Sequence, residues 1–393
     1  MKFDRGSPRA WLIFIVTGFN IVVASAIAML SPRKSRDRRH AVMSGHMFNG
    51  NLRAFYDSVG RDAVKWEFRY AYIDPDAYRS RKVGDVAALS SLRLDHMIWM
   101  ARADVVMTDH GPGIWSLLQI LRPQIAFVEV WHGIGFKGLR PDLGREISRY
   151  RALFAASDWD GNDSLGKRER DIAPEVIATG YAAVDPLARP QGIDAVSDGY
   201  GLESERSGQV LIAPTWSHGD RDRSLFPFGL DAAEFFTGLD KWARKANWTV
   251  IFRSHLNAPG VAPGTYPNIR FMPLKEYPLT YELLAASDVL VTDWSSIATD
   301  YLVLGRPIVF LDVPPPFTPA HLSADDRVGY RVSSWRDLEE TLTVASQRPE
   351  EYAESFGRER VRVLSKAFDS TLDGRSSERY LEALDRIASS ESI

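Results

Sequence analysis

The stretch from Tyr281 to Asp312, YELLAASDVLVTDWSSIATDYLVLGRPIVFLD, decides which fold this chain adopts. It predicts helix, buried strand, polar turn, helix and strand, because the short β-branched run Val289–Val291 ends in a polar turn. Ser295 and Ser296 follow the strand and precede the next helix, so their hydroxyls and backbone N–H groups meet at one point. Such a turn is typical of phosphate and pyrophosphate sites at the carboxyl edge of a parallel sheet.

Strand and helix patterns alternate along the chain in two blocks. The first block covers 40–186 and the second covers 209–393, and they are separated by a polar linker over 187–208. Repeated strand–helix units favour parallel sheets. We therefore expect an α/β protein with two doubly wound, Rossmann-like domains facing a cleft. Ligands of such sheets bind at the carboxyl ends of the strands, and a cleft between domains is the usual site.

Length and composition limit the class of protein. A chain of 393 residues is too long for one ordinary core, which agrees with two domains. A formal net charge of -3 provides no basic excess for binding nucleic acid. Because the chain has no cysteine, disulfides, thiol nucleophiles and cysteine zinc sites are excluded. The sequence demands no metal and no organic cofactor, and it contains no GxxxxGK[ST] loop for P-loop ATP hydrolysis.

The first 39 residues differ from the rest of the chain. Trp11–Leu30 carries no charge and has about the length that crosses a bilayer core. Lys and Arg flank this run, and more of them follow it than precede it, which places the remainder of the chain on the cytoplasmic side. We expect a membrane-anchor helix with a basic flank over 1–39. A cleaved signal peptide and a buried helix of a soluble domain are the alternatives.

Four polar turns follow predicted strands, at 131–133, 215–218, 253–255 and 293–296. We expect all four to converge on one ligand, because the carboxyl ends of parallel strands share one edge of a sheet.

His132 stands beside a glycine, which lets the backbone approach a ligand closely, and a histidine there is a candidate general base. Arg253 and His255 are two residues apart, so they share one face of an extended chain. A guanidinium suits phosphate oxygens. The alternative for His132, Arg253 and His255 is a purely structural role in a turn or on the surface. The candidate residues for binding the phosphates of this ligand are Arg253, Thr215, Asp293, Ser295 and Ser296. The candidate acceptor-side residues are Lys137, His46 and His110.

Five segments resemble the CDP-glycerol glycerophosphotransferases of teichoic acid synthesis. They are VWHGIGFKG (Val130–Gly138), ATGYAAVD (Ala178–Asp185), LIAPTW (Leu211–Trp216), IFRSH (Ile251–His255) and SDVLVTDWSSIATDYLVLGRPIVFLD (Ser287–Asp312). They follow the order and spacing of the family. The sequence departs from the family pattern at Ile134-Gly135, where threonine and proline are usual, at Leu256, where proline is usual, and at Trp294, where tyrosine is usual.

The resemblance implies a glycosyltransferase-B type fold and a membrane-associated enzyme with its catalytic part on the cytoplasmic side. It implies transfer of a polyol phosphate, with glycerol phosphate the first choice, from a CDP-activated donor. The acceptor is a hydroxyl of a lipid-linked or polymeric molecule of the cell envelope, and CMP is released. The two motif histidines of the family match His132 and His255, and its serine pair at the donor phosphates matches Ser295 and Ser296.

Two other functions stay open. A nucleotide-sugar glycosyltransferase of the same fold would release a nucleoside diphosphate instead of CMP. A non-catalytic, membrane-anchored scaffold would bind no CDP-polyol.

Overall fold

The structure is a computed structural model that describes residues 6–31, 37–80, 86–136, 149–161, 175–189, 206–215, 226–253, 266–315 and 322–390. The chain divides into two compact units. The first comprises Met1–His132, Arg140–Ala183 and Arg375–Ile393, and the second comprises Gly133–Leu139 and Val184–Gly374.

The first unit contains a sheet of seven parallel strands among the described residues. The strands are β1 (Arg39–Ser44), β2 (Trp66–Tyr72), β3 (Ala87–Ser90), β4 (Val105–Thr108), β5 (Ala126–Glu129), β6 (Ala152–Ala155) and β7 (Glu175–Ala178). Their order is β3-β2-β1-β4-β5-β6-β7. The sheet therefore extends from β1 through β2 to β3 on one side and from β4 to β7 on the other. The loops after β1 and β4 run in opposite directions, which makes the position between these two strands a topological switch point. Ser44 pairs with Thr108, so both strands end at the same level.

The second unit contains a sheet of six parallel strands among the described residues. The strands are β8 (Gly208–Ile212), β9 (Trp248–Phe252), β10 (Ile269–Phe271), β11 (Val289–Thr292), β12 (Ile308–Leu311) and β13 (Tyr330–Val332). Their order is β10-β9-β8-β11-β12-β13, which places the switch point between β8 and β11. Two parallel sheets with helices confirm the predicted α/β class.

The helices within the described residues are α1 (Pro8–Leu30), α2 (Gly50–Phe55), α3 (Pro75–Ser80), α4 (Leu94–Ala101), α5 (Ser116–Leu121), α6 (Asp185–Ala188), α7 (Ala232–Ala246), α8 (Thr280–Ala286), α9 (Ile297–Tyr301), α10 (Trp335–Gln347), α11 (Glu350–Ala367) and α12 (Ser376–Ser390). The helix α7 shows how local sequence sets the bounds. Asp231 and Glu234 form a reciprocal capping box at its start, and Asn247 ends it in a left-handed conformation with φ 58°. Its apolar side packs on the core of the second sheet.

The predicted domain boundaries differ from the two units at their ends. The prediction assigned all of 209–393 to the second domain, whereas α12 belongs to the first unit. The reason is aromatic packing. The ring of Tyr380 in α12 lies 5.7 Å from the ring of Phe55 and 5.0 Å from that of Phe154, all three fully buried. No local pattern in the sequence shows which sheet a terminal helix covers.

The apolar N-terminal helix is present as α1, and it is long and apolar enough to cross a membrane. One side of it, with small and polar residues, packs on the first unit. Thr17 Oγ1 lies 2.8 Å from Ser91 Oγ, and Asn20 Nδ2 donates to the carbonyl of Ser91 at 3.0 Å. The opposite side exposes large apolar residues, which include Trp11, Leu12, Phe14, Ile15 and Phe19.

Candidate functional site

Three imidazoles come together at the switch point of the first sheet. His46 follows β1, His110 follows β4 and His132 follows β5. The ring centroids of His46 and His110 are 4.4 Å apart, and the rings of His110 and His132 stack at 4.0 Å. All three side chains are accessible at the surface of this unit. The structure thus brings one predicted catalytic residue and two predicted acceptor-side residues into one cluster.

The orientation of His132 is fixed by a backbone carbonyl. Its Nδ1 lies 2.7 Å from the carbonyl oxygen of Asp109. A carbonyl only accepts, so Nδ1 carries the proton and Nε2 of the neutral ring keeps its lone pair. Desolvation of the protein-facing side, and then the neighbouring His110, lower the pKa of His132 from its ordinary value. Water at the exposed edge offsets part of this lowering. The ring is therefore neutral at pH 7, with an acceptor nitrogen available to a substrate proton.

The carboxyl group of Asp109 is buried against the imidazoles. Its Oδ1 lies 2.7 Å from Nδ1 of His110. On another side it touches the backbone of Gly45, where an added Cβ would clash with both carboxylate oxygens. Burial raises the pKa of Asp109 to about 7, against the opposing effect of His132 and His46. The carboxyl group can thus gain or lose a proton near neutral pH.

The loop that carries His132 is held in a strained conformation by Asn51. Trp131 has φ 52°, in the left-handed region that costs a non-glycine residue roughly 1–2 kcal/mol. Asn51 Nδ2 donates to the carbonyls of Val130 and Trp131, each at 3.1 Å, and its Oδ1 accepts the N–H of Ala183 at 3.0 Å. These three bonds from one buried amide hold the turn in place.

The serine pair stands at the switch point of the second sheet, between β11 and α9. Ser295 and Ser296 are half-buried, and their backbone N–H groups donate to no group in the part of the chain that the structure describes. Gly133 lies in the same unit, where an added Cβ would be 3.3 Å from Ser296 Oγ. Because α9 has only five residues, its dipole is small, so the hydroxyls and N–H groups of the serine pair are the main groups available to an anion here.

Asp293 joins the two loops at this switch point. Its Oδ1 accepts the N–H of Thr215 at 2.7 Å and the N–H of Trp294 at 2.6 Å, and the residue is buried. A buried carboxylate repels phosphate, so the geometry supports a positioning role for Asp293 rather than direct contact with a donor. Thr215 Oγ1 is buried and has no hydrogen-bond partner among the described residues.

The guanidinium of Arg253 already makes structural bonds. It donates to the carbonyl of Tyr277 and to the hydroxyl of Thr280, each at 2.8 Å, and it is buried. Its predicted contact with phosphate stays a prediction. His255 and Lys137 lie outside the described residues, so their predicted roles also stay predictions.

Sequence reasoning missed other polar residues near these sites. The guanidinium of Arg327 lies 4.1 Å from the ring centroid of Trp294. Asp300 follows Ser296 by one helical turn, and burial raises its pKa to about 7. Asn51 and Glu129 were missed as well. No motif marks them, although a carboxylate in a buried strand, such as Glu129 in β5, is a signal of a special role because isolated buried charges are costly.

Two units of parallel strands, each with polar loops at its switch point, define the glycosyltransferase-B type of α/β fold. A family model described as "CDP-Glycerol:Poly(glycerophosphate) glycerophosphotransferase" matches residues 25–385. The chain therefore belongs to this family of enzymes, which confirms the predicted class.

Individual relatives agree with this assignment. The chain is 25% identical over 313 residues to the teichoic acid poly(glycerol phosphate) polymerase of Bacillus spizizenii, covering 72% of this chain and 75% of the relative. It is 21% identical over 279 residues to the teichoic acid ribitol-phosphate polymerase TarK of Staphylococcus aureus, covering 67% of this chain and 52% of that protein. The chain thus spans about half the length of TarK.

The fold is also that of a solved structure, the wall teichoic acid polymerase TagF. A histidine-to-alanine variant of TagF matches with a TM-score of 0.71 and 17% identity over 97% of this chain and 98% of that chain. A variant of TagF soaked with CDPG matches with a TM-score of 0.70 and 17% identity, over 98% of each chain.

Proposed function

We propose that this enzyme transfers glycerol phosphate from CDP-glycerol to a hydroxyl of a lipid-linked or polymeric acceptor of the cell envelope, with release of CMP. Family membership supports the reaction class. The observation that carries the mechanism is the hydrogen bond from His132 Nδ1 to the carbonyl of Asp109, because it leaves Nε2 as the acceptor that a general base requires.

In the proposed reaction the acceptor hydroxyl oxygen attacks the β-phosphorus of the donor. A bond forms between this oxygen and the β-phosphorus, and the bond from the β-phosphorus to the bridging oxygen breaks. The bridging oxygen leaves with CMP and its electron pair, and the hydroxyl proton goes to Nε2 of His132. Such a transfer needs mainly positioning and charge stabilisation.

The donor phosphates are assigned to the second unit. The hydroxyls and N–H groups of Ser295 and Ser296 suit phosphate oxygens. Thr215 follows β8 at the same switch point, and its buried hydroxyl has no hydrogen-bond partner among the described residues. Asp293 positions Thr215 through its backbone. Arg253 and His255 are proposed to stabilise negative charge on the transferred group and on CMP.

The acceptor is assigned to the first unit. An acceptor that already ends in glycerol phosphate carries a phosphodiester next to its terminal hydroxyl. His46 and His110 are exposed beside His132, and their ring nitrogens are suitable donors to that phosphodiester. Lys137 is a further candidate on the acceptor side.

Membrane association is assigned to α1, with the catalytic part on the cytoplasmic side. The polar contacts of Thr17 and Asn20 to Ser91 hold one side of α1 on the first unit. The other side exposes a row of aromatic and aliphatic residues, and Ile120 of α5 is exposed as well. A helix with one protein-facing and one apolar side is suited to lie in the bilayer interface, so we propose this arrangement instead of a lone spanning helix.

The test is a donor panel on the purified full-length protein with lipid-linked acceptor. We expect CMP from CDP-glycerol and no turnover of UDP- or GDP-sugars. His132→Ala should lower the rate of CMP release by about 100-fold or more, the usual contribution of a general base. His40→Ala is the matched control, since His40 stacks on Trp99 near the opposite end of β1. Release of a nucleoside diphosphate from a sugar donor would instead identify a glycosyltransferase, and the absence of donor binding would identify a scaffold.

A further inference from the structure

Glu129 is a buried acid that the reaction itself does not use. It is the last residue of β5 and is fully buried. Its Oε2 accepts the hydroxyl of Thr108 at 2.6 Å and the N–H of Gly111 at 3.1 Å. One carboxyl oxygen therefore bonds the residues on both sides of the dipeptide Asp109-His110.

That dipeptide supplies both contacts that define His132. The carbonyl of Asp109 accepts Nδ1–H of His132, and the ring of His110 stacks on it at 4.0 Å. We infer that Glu129 is a positioning residue for the general base, since it holds both ends of the turn that fixes the tautomer and the ring plane of His132. The catalytic meaning of this inference rests on the proposed function, but the geometric part does not.

Burial favours the neutral form of Glu129, although the hydrogen-bond donors around it oppose this effect. Thr108 and Asp109 face it from the end of β4, Gly111 faces it from the following turn, and the hydroxyl of Tyr150 lies 2.6 Å from Thr108 Oγ1. Among the described residues no cation pairs with this carboxyl. Burial, with a further contribution from Asp109, raises the pKa of Glu129 to about 8. A neutral acid and a glutamine amide have nearly the same shape and the same acceptor oxygen.

The first experiment reads out the ring of His132 directly. In full-length protein labelled with ¹⁵N-histidine, NMR at pH 7 should show His132 as the Nδ1–H tautomer. Glu129→Gln should keep this signal, whereas Glu129→Ala should give a mixture of tautomers. Gln119→Ala is the matched control, because Gln119 is a buried polar residue of the same unit that bonds the carbonyl of Arg149 instead of the turn.

The second experiment measures CMP release. Glu129→Ala should lower kcat by about tenfold or more, because a general base contributes about 10²–10⁴-fold, with KM for CDP-glycerol unchanged. Glu129→Gln should retain most of kcat, because its amide oxygen can accept the same two hydrogen bonds. Thr108→Val removes one of the two bonds to Glu129 and should give an intermediate loss, which provides a test if Glu129→Ala does not fold.

Two results would overturn the inference. One is an unchanged tautomer of His132 in Glu129→Ala or, where that variant does not fold, in Thr108→Val. The other is a Glu129→Gln variant with a kcat as low as that of Glu129→Ala. The hydrogen bonds that residue 129 accepts from Thr108 and Gly111 would then not account for its effect on kcat. If the tautomer shifts as expected but the wild type releases no CMP, the proposed function fails and the positioning role stands.

Discussion

Asp293 Oδ1 lies 2.7 Å from the backbone nitrogen of Thr215, so a side chain after β11 holds the backbone after β8. The same oxygen accepts the N–H of Trp294, next to the serine pair. One buried carboxylate thus sets the spacing between the two loops to which we assign the donor phosphates.

Asp293→Ala should therefore affect both stability and donor binding. It leaves two N–H groups without their acceptor, at a cost of about 1–3 kcal/mol each where they stay buried. KM for CDP-glycerol should rise, and Asp293→Asn, which keeps one acceptor oxygen, should have the smaller effect. Urea unfolding and steady-state kinetics measure both. Asp231→Ala, which removes the cap of α7, should cost about 1 kcal/mol and leave KM unchanged. An unaltered KM in Asp293→Ala would argue against the assignment.

Gly45→Ala should damage the imidazole cluster. The new methyl group would clash with the carboxyl of Asp109, so the turn after β1 or the side chain must move. We expect a loss of about 1–3 kcal/mol from overpacking, together with a lower kcat. Gly18→Ala is the control, because Gly18 has open space around it within α1, and alanine there should stabilise the helix by about 0.5–1 kcal/mol. Equal behaviour of the two variants would contradict the close packing of Gly45 on Asp109.

Asn51→Ala should release the strained turn before His132. Three hydrogen bonds are lost, so we expect a cost of about 2 kcal/mol or more and a clear drop in kcat. Asn268→Ala is a matched control in the second unit, where a buried asparagine bonds Asp240. It should cost comparable stability and leave kcat unchanged. Chemical denaturation and CMP release separate these outcomes, and a fully active Asn51→Ala would show that the turn does not depend on this amide.

Asp109 should make stability fall with rising pH. Its pKa is raised from 3.8 to about 7 by burial, so the folded state binds the proton more tightly than the unfolded state. This contribution to the free energy of unfolding is fully present below about pH 4, declines as pH rises to about 7, and is lost above that value. His132, with a lowered pKa, acts in the opposite direction below pH 6.5.

The comparison of wild type with Asp109→Asn isolates the contribution of this carboxyl. The difference in their free energies of unfolding should change by on the order of 1–4 kcal/mol between pH 4 and pH 7.5. Urea titrations at several pH values measure it. A difference independent of pH would show that the carboxyl titrates normally in the folded protein.

Charge on the outer side of α1 should reduce membrane binding without unfolding the protein. Ile15 and Phe19 are 62% and 65% exposed, so Ile15→Asp with Phe19→Asp should lower co-sedimentation with anionic vesicles by about tenfold or more, since each buried apolar side chain contributes about 1.5–3 kcal/mol. Val64→Asp is the control, because Val64 is 86% exposed and lies outside α1. Undiminished binding of the double variant would exclude the outer side of α1 as the contact.

The sequence predicted the strands and the polar turns of this protein, because short stretches of neighbouring residues determine such elements. The β-branched run Val289–Val291 and the turn after it appear as a buried strand and a polar loop. The histidines at 46, 110 and 132 could be placed in turns, but their contact depends on β4 lying between β1 and β5, which no short window encodes. For the same reason Arg327 and Asn51 escaped notice, because each acts on a loop distant in sequence.

The unit that holds the imidazoles is also the unit that carries α1. If α1 rests on the bilayer as we propose, the proposed general base and a lipid-linked acceptor are confined to the same surface and meet by two-dimensional diffusion. The water-soluble nucleotide donor reaches the enzyme from solution by three-dimensional diffusion. Detachment from the membrane should therefore reduce the encounter rate with lipid-linked acceptors and have little effect on soluble acceptor analogues.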